Sequence, residues 1–276
     1  MTLNISKIVH SVCYRIPSGA DLKEEITSKF TFAPTKTKHK TPAERGIPHE
    51  EVFVKTPDDE KLHGYFLPAK EKTDKVMLFF HGHDENVDLW HLAPVNLQQH
   101  INVNALIVDY RGYGKSTGKP STDGIITDAL AMYDYLILRG FKPEDISVYG
   151  RSMGAAVALE VASRVPVRLV VFQSGFYSFK EHVKELYPYV PSCLIKDDFL
   201  DSASLIKKIK APILICHGSK DERVHYNHAY RLFNIAPFQR KLIILEGAGH
   251  EHLKKFFTEE YFTTLKNLMT QSSLVF

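Results

Sequence analysis

The sequence predicts an α/β protein, a three-layer sandwich with a mostly parallel central sheet and helices on both faces. Two observations carry this. Val76–Phe80 and residues 105–108, 146–149, 169–172, 213–216 and 242–245 are short, nearly continuous apolar runs, the pattern of strands buried on both faces of a parallel sheet. Between most of them lie stretches long enough for a crossover helix, clearest at 87–100, 122–139 and Met153–Arg164. Strands that alternate with helices wind into a sheet covered on both sides.

The first 48 residues are the least periodic. Ile5, Ile8, Val9 and Val12 follow a helical spacing with Lys7 nearby, which predicts an N-terminal helix packed on the domain, with peripheral membrane contact as the alternative. Residues 35–42 are polar and basic and read as a surface connection. Residues 51–56 and 62–68 are β-rich and flank Pro57-Asp58-Asp59-Glu60, a good turn sequence, so an antiparallel pair is expected before the parallel strands begin. A closing helix is predicted over much of 258–270. Residues 49–276 therefore form one domain, preceded by the segment 1–48, and no internal repeat is present.

One interval breaks the alternation. Between the strands at 169–172 and 213–216, residues 175–198 carry Phe176, Tyr177, Phe179, Tyr187, Tyr189, Pro188 and Pro191. Such an aromatic insertion past the strand ends is expected to wall a pocket, because ligands of open α/β sheets bind at the carboxyl ends of the strands. The alternative is a packed surface excursion.

Composition narrows the function. The net charge is only +3, from 35 basic and 32 acidic residues mixed along the chain, so no nucleic-acid partner is expected. Cys13, Cys193 and Cys216 are far apart and make neither a disulfide framework nor a C-x-x-C site, consistent with a reducing, cytoplasmic setting. No apolar stretch is long enough for a transmembrane helix, and the opening residues lack the apolar run of a secretory signal.

The chemistry concentrates at strand ends. Gly150-Arg151-Ser152-Met153-Gly154 matches G-x-S-x-G, directly after the apolar run 146–149 and directly before an alanine-rich helical run. In that setting the chain turns sharply, lifts the serine above the sheet and aims a helix N-terminus at developing negative charge. A serine hydroxyl is a poor nucleophile until a base takes its proton. Asp221, after the strand ending at Cys216, and His250, after the strand ending at Leu245, follow in the order acid then base. Both fall in loops at the same face as Ser152. Glu222 is the alternative acid and His252 the alternative base.

An oxyanion needs donors arranged in advance. The backbone N–H of Met153 supplies one, and the loop His81-Gly82-His83-Asp84 after the third strand supplies the other, with the His83 amide the best placed. His81 and His83 as a metal pair is disfavoured, since no third ligand has convincing spacing. His217 is expected to be structural. The run 109–116, Asp-Tyr-Arg-Gly-Tyr-Gly-Lys-Ser, fits neither phosphate-loop pattern. It is expected to shape the rim of the site, with Arg111 pairing an acid or meeting an anionic substrate group.

Together, His81-Gly82, the run 109–116, Gly150-Arg151-Ser152-Met153-Gly154, His217-Gly218-Ser219-Lys220-Asp221 and Gly247-Ala248-Gly249-His250 resemble the α/β-hydrolase superfamily, and within it the BEM46-like and ABHD17-like serine hydrolases, which include protein depalmitoylases. The resemblance covers roughly residues 50–270. It implies an α/β-hydrolase fold with a small cap insertion. It also implies Ser152, Asp221 and His250 in the triad roles, the His83 and Met153 amides in the oxyanion hole, and no cofactor or metal. The implied substrates are small or lipid-like acyl esters and thioesters, S-acylated proteins among them. The depalmitoylases carry an N-terminal cysteine cluster, where this chain has Cys13 alone. The expected function is a serine hydrolase for apolar acyl substrates; a serine peptidase or a non-catalytic binding module on the same fold are the alternatives.

Overall fold

The computed structural model describes residues 19–237, 239–251 and 253–271; the helical spacing at Ile5–Val12, Cys13 and His252 lie outside them. In chain order the regular elements are helix α1 (Gly19–Thr31), strands β1 (Glu50–Lys55), β2 (Lys61–Leu67) and β3 (Val76–Phe80), helices α2 (Val87–Trp90) and α3 (Leu92–Gln98), β4 (Asn104–Val108), α4 (Thr122–Leu138), β5 (Ile146–Arg151), α5 (Met153–Arg164), β6 (Leu169–Gln173), α6 (Phe179–Leu186), α7 (Ser202–Ile206), β7 (Ile213–Gly218), α8 (Asn227–Ile235), β8 (Arg240–Leu245) and α9 (Glu259–Thr270).

The strands form an eight-stranded sheet in the order β1-β2-β4-β3-β5-β6-β7-β8. β2 runs antiparallel to both β1 and β4, and the pairs from β4 through β8 are parallel. The predicted hairpin and all six apolar runs thus appear as strands, each within two residues of its expected bounds. Their side chains alternate between two cores. Leu78, Val148, Val170 and Ile215 face one, with α4 and α5 (Ile125, Met132, Val157), whereas Met77, Tyr149, Val171 and Leu214 face the other, with Leu97 of α3 and Leu265 of α9. Continuous apolar strands are what two covered faces require.

Helix boundaries follow local chemistry. Ser121 caps α4 by accepting from the Gly124 amide at 3.1 Å, and Thr258 caps α9 from the Tyr261 amide at 3.1 Å with Glu259 and Glu260 in the first turn, where the helix dipole favours acids. The helix expected over 87–100 is instead two, broken at His91. Pro94 has no amide hydrogen for the Trp90 carbonyl four residues back, so the helical ladder cannot run through. No helix among the described residues is long and apolar enough to cross a membrane.

Helix α1 packs on the domain. Ile26 joins the core, the Phe30 and Tyr187 rings meet at a tilt with centroids 5.0 Å apart, and Glu24 accepts from the Thr122 amide at 2.8 Å. The aromatic insertion turns inward: Phe176, Phe179, Val183 and Ile195 are buried in the same core.

Arg111 is a structural tie, not part of the site rim. It reaches Asp128 of α4 at 2.7 Å and grips Asp58 of the β1–β2 turn at 2.7 and 3.1 Å. Asp128 is fully buried; burial raises its pKa and Arg111 opposes that rise. Arg111→Ala leaves this carboxyl buried without its partner. The variant is expected to lose about 3 kcal/mol of stability and roughly 10 °C in Tm, with hydrolysis per folded molecule unchanged. Thermal unfolding and active-site titration check this, and an unshifted Tm would remove Arg111 from the frame.

Candidate active site

β5 delivers Ser152 on a forced turn. Its φ of 56° and ψ of −121° put a residue with a Cβ in a region that favours glycine. Neighbouring glycines make the turn feasible. A Cβ on Gly150 would sit 2.0 Å from the Gly154 carbonyl oxygen, and one on Gly154 would sit 2.2 Å from the Phe80 carbonyl oxygen. The start of α5 therefore lies against the end of β3, beside the His81–Asp84 loop. Gly154→Ala is expected to push these apart, costing about 1–3 kcal/mol and about 100-fold in kcat, because misplacement of about 1 Å has that effect. Steady-state kinetics on the folded fraction checks it.

Ser152, Asp221 and His250 come together. His250 Nε2 lies 3.2 Å from Ser152 Oγ, and its Nδ1 lies 2.7 Å from Asp221 Oδ2. A carboxylate accepts, so Nδ1 carries the proton and Nε2 presents its lone pair to the serine. The other carboxylate oxygen of Asp221 accepts from the Val224 amide at 2.8 Å and the Arg223 amide at 3.0 Å. Burial alone would raise the Asp221 pKa, but the His217 and His250 hydrogen bonds outweigh it and hold the carboxyl well below the usual carboxylate range. Glu222 is exposed, and His250 Nδ1 is already taken by Asp221. His217 is fully buried, donates through Nε2 to the Val224 carbonyl at 2.8 Å and lies 3.2 Å from Asp221 Oδ2. It supports the acid, which sequence spacing could not assign.

The His83 loop is fixed from three sides. His81 Nδ1 donates to the Gly82 carbonyl at 2.8 Å, and burial keeps the His81 ring neutral, its pKa lowered to about 4. In a trans peptide the N–H opposes the carbonyl, so this bond sets where the His83 N–H points. The His83 carbonyl accepts from Tyr113 Oη at 2.6 Å and from the Ala33 amide at 3.0 Å. Opposite, Met153 opens α5, where first-turn amides have no intrahelical acceptor, and Ser152 provides no side-chain cap. Sequence reasoning missed Tyr113 and Ala33, whose roles arise only from distant contacts.

Arg151, the variable residue before the serine, ties the two halves of the site. Its Nη2 donates to the His250 carbonyl at 2.7 Å, and its guanidinium lies 5.1 Å from the centre of the Trp90 ring. A space of about 10 Å³ opens at Ser152, His250, Gly82 and His83. A larger cavity of about 330 Å³ adjoins it, lined by Phe79, Leu89, Trp90, Leu97, Tyr149 and Phe257. Neither is lined by any residue of 175–198. Phe176 and Phe179 of the insertion pack into the opposite core instead, while its His182 lies close enough to feel the charges of His250, Asp221 and His83.

Of the His81 ring nitrogens, Nδ1 is committed to the Gly82 carbonyl. Among the described residues, His182, Glu185 and His228 place potential ligand atoms within 4.8 Å of one another. The Tyr177 amide donates to His228 Nδ1 at 3.1 Å, so its Nε2 carries the proton and donates to Glu185 at 2.8 Å. These bonds tie the insertion to α8.

Residues 75–193 match the family model described as alpha/beta hydrolase fold. Alpha/beta hydrolase domain-containing protein 17C of Mus musculus is 30% identical over 224 residues, covering 80% of this chain and 68% of the relative. The 17B protein of Xenopus tropicalis is 30% identical over 222 residues, covering 79% and 74%. Among solved structures, the Pyrococcus furiosus esterase Pf2001 superimposes with a TM-score of 0.69 at 23% identity, covering 87% of this chain and 97% of that one. Est1E of Butyrivibrio proteoclasticus gives 0.65 at 20%, covering 79% and 98%. With the strand order, the turn at Ser152 and these relatives together, the chain belongs to the α/β-hydrolase family, among the relatives of alpha/beta hydrolase domain-containing protein 17.

Proposed function

We propose that this protein is a serine hydrolase that cleaves carboxylic ester or thioester bonds of apolar acyl substrates through an acyl-enzyme. The observation that carries the reading is the continuous hydrogen-bonded line from Ser152 Oγ through His250 to Asp221, with the serine held on a strained turn. His250 Nε2 takes the Ser152 proton as Oγ bonds to the acyl carbon, and the His83 and Met153 amides hold the oxyanion. The imidazolium, stabilised by Asp221, then protonates the departing alcohol or thiol. Water gives its proton to His250 as its oxygen attacks the acyl-enzyme, which releases the acid and restores Ser152. No step calls for a cofactor or a metal.

The large apolar cavity beside the serine supports an apolar acyl group, and the esterase names of structural neighbours agree with ester chemistry. A cytoplasmic setting fits the sparse cysteines. The test is hydrolysis of matched p-nitrophenyl esters and thioesters from acetyl to palmitoyl, with fluorophosphonate labelling and peptide mapping of the modified residue. Labelling at Ser152 with a clear preference for one acyl length is expected. Labelling elsewhere, or cleavage of peptides alone, overturns the reading.

A further inference from the structure

An acyl group bonded to Ser152 Oγ must extend somewhere. The space directly over the serine, about 10 Å³, is on the scale of a single water. The adjoining cavity of about 330 Å³ falls within the range of small-molecule sites and is walled chiefly by Phe79, Leu89, Leu97, Tyr149 and Phe257. Asp84, Trp90, Arg151 and Glu251 line both spaces, so only this shared wall separates the serine from the cavity.

Resting on the hydrolase reading, the geometry points to this cavity, under α2 and α3, as the pocket for the acyl chain, and to the Trp90–Arg151 pair as its entrance. The occupant is a neutral, unbranched acyl chain of medium length. The apolar lining suits methylenes. Arg151 is the movable part: its Nε has no hydrogen-bond partner among the described residues, and one hydrogen bond to the His250 carbonyl and the Trp90 face hold it. A chain passing into the cavity slides this guanidinium along the indole, past Gln173, which pairs with Arg151 across β5 and β6 and lines the cavity at the same end.

Two readouts test this, one of them independent of turnover. With p-nitrophenol as the constant leaving group, kcat/KM is expected to rise about fourfold per added methylene until the cavity is full, the ratio equivalent to about 0.8 kcal/mol. Ala93→Phe, which fills the cavity from α3, should lower the octanoyl-to-acetyl ratio at least tenfold; Asn96→Phe, from the same wall, serves if the first variant folds poorly. The same ratio measured with acetyl fixed and the alcohol lengthened should not move. Trp90 is the chain's one tryptophan and stands in the cavity wall, so its emission reports occupancy directly. Titrating Ser152→Ala with methyl octanoate should give a saturable shift that methyl acetate does not give and that Ala93→Phe abolishes. An unaltered chain-length ratio in both filled variants, an effect confined to the alcohol series, or no Trp90 response overturns the acyl pocket while Ser152-dependent hydrolysis stands. A saturable Trp90 response in a protein that hydrolyses no ester or thioester supports the pocket and overturns the hydrolase reading instead.

Discussion

Replacing Ser152 by alanine is expected to lower kcat on the preferred acyl ester by a factor on the order of 10⁵–10⁶, the scale seen when a serine hydrolase loses its nucleophile. His250 Nε2 is 3.2 Å from the serine oxygen, and among the described residues no other hydroxyl is hydrogen-bonded to His250. Stability should scarcely change, because alanine keeps the Cβ and with it the same strained backbone. Ser152→Gly separates the two roles of this position. A residue with a Cβ at φ 56°, ψ −121° costs about 1–3 kcal/mol, and glycine relieves this at a smaller entropic cost of about 0.5–1 kcal/mol. The glycine variant should therefore be as inactive as the alanine variant and about 1 kcal/mol more stable. Denaturant unfolding beside burst kinetics decides it. Residual activity above about one part in a thousand in both variants would move the nucleophile elsewhere.

What the sequence made legible was whatever one strand or one turn encodes locally. Two-sided burial leaves unbroken apolar runs, so β3 to β8 were readable from Val76 to Leu245. The sharp turn at Ser152 demands small neighbours, so Gly150 and Gly154 announced it. Asp221 and His250 followed because loops after parallel strands share one face. Missed elements lack such signatures. Helix α8 has only His228, Ala229 and Leu232 buried, a stripe too narrow to stand out. Helix α1 depends on contacts such as Phe30 with Tyr187, 157 residues away by their numbering. The insertion's aromatic rings do not line the two cavities at the serine, for a related reason. Aromatic content in 175–198 says that apolar surface must be covered, not which core will cover it, and Phe176 and Phe179 went to the core opposite Trp90. Arg151 carried no signal at all, since its role exists only once the His250 loop folds over it.

Asp221→Asn should cost about 10⁴-fold in kcat, for a reason the hydrogen bonds supply. Asp221 presents one oxygen to the Val224 and Arg223 amides and the other to His250 Nδ1. An asparagine must keep its carbonyl oxygen on the two amides, so its NH₂ faces His250. A donor facing Nδ1 forces the ring to place its proton on Nε2, toward Ser152, and the base is lost although the geometry survives. The same substitution changes acid stability with a defined sign. The folded-state pKa of Asp221 is depressed, against about 3.9 in the unfolded chain. Its stabilising contribution is therefore complete above about pH 4 and drains away as pH falls toward the lower, folded value. The variant binds no proton there, so it should show a shallower loss of stability below pH 4. Unfolding by urea from pH 2.5 to 7, with kcat measured over the range where both proteins are folded, tests both halves. A variant that kept more than a tenth of kcat would show that Asp221 does not set the tautomer of His250, and an unchanged acid limb would show that its carboxylate is not held by these bonds.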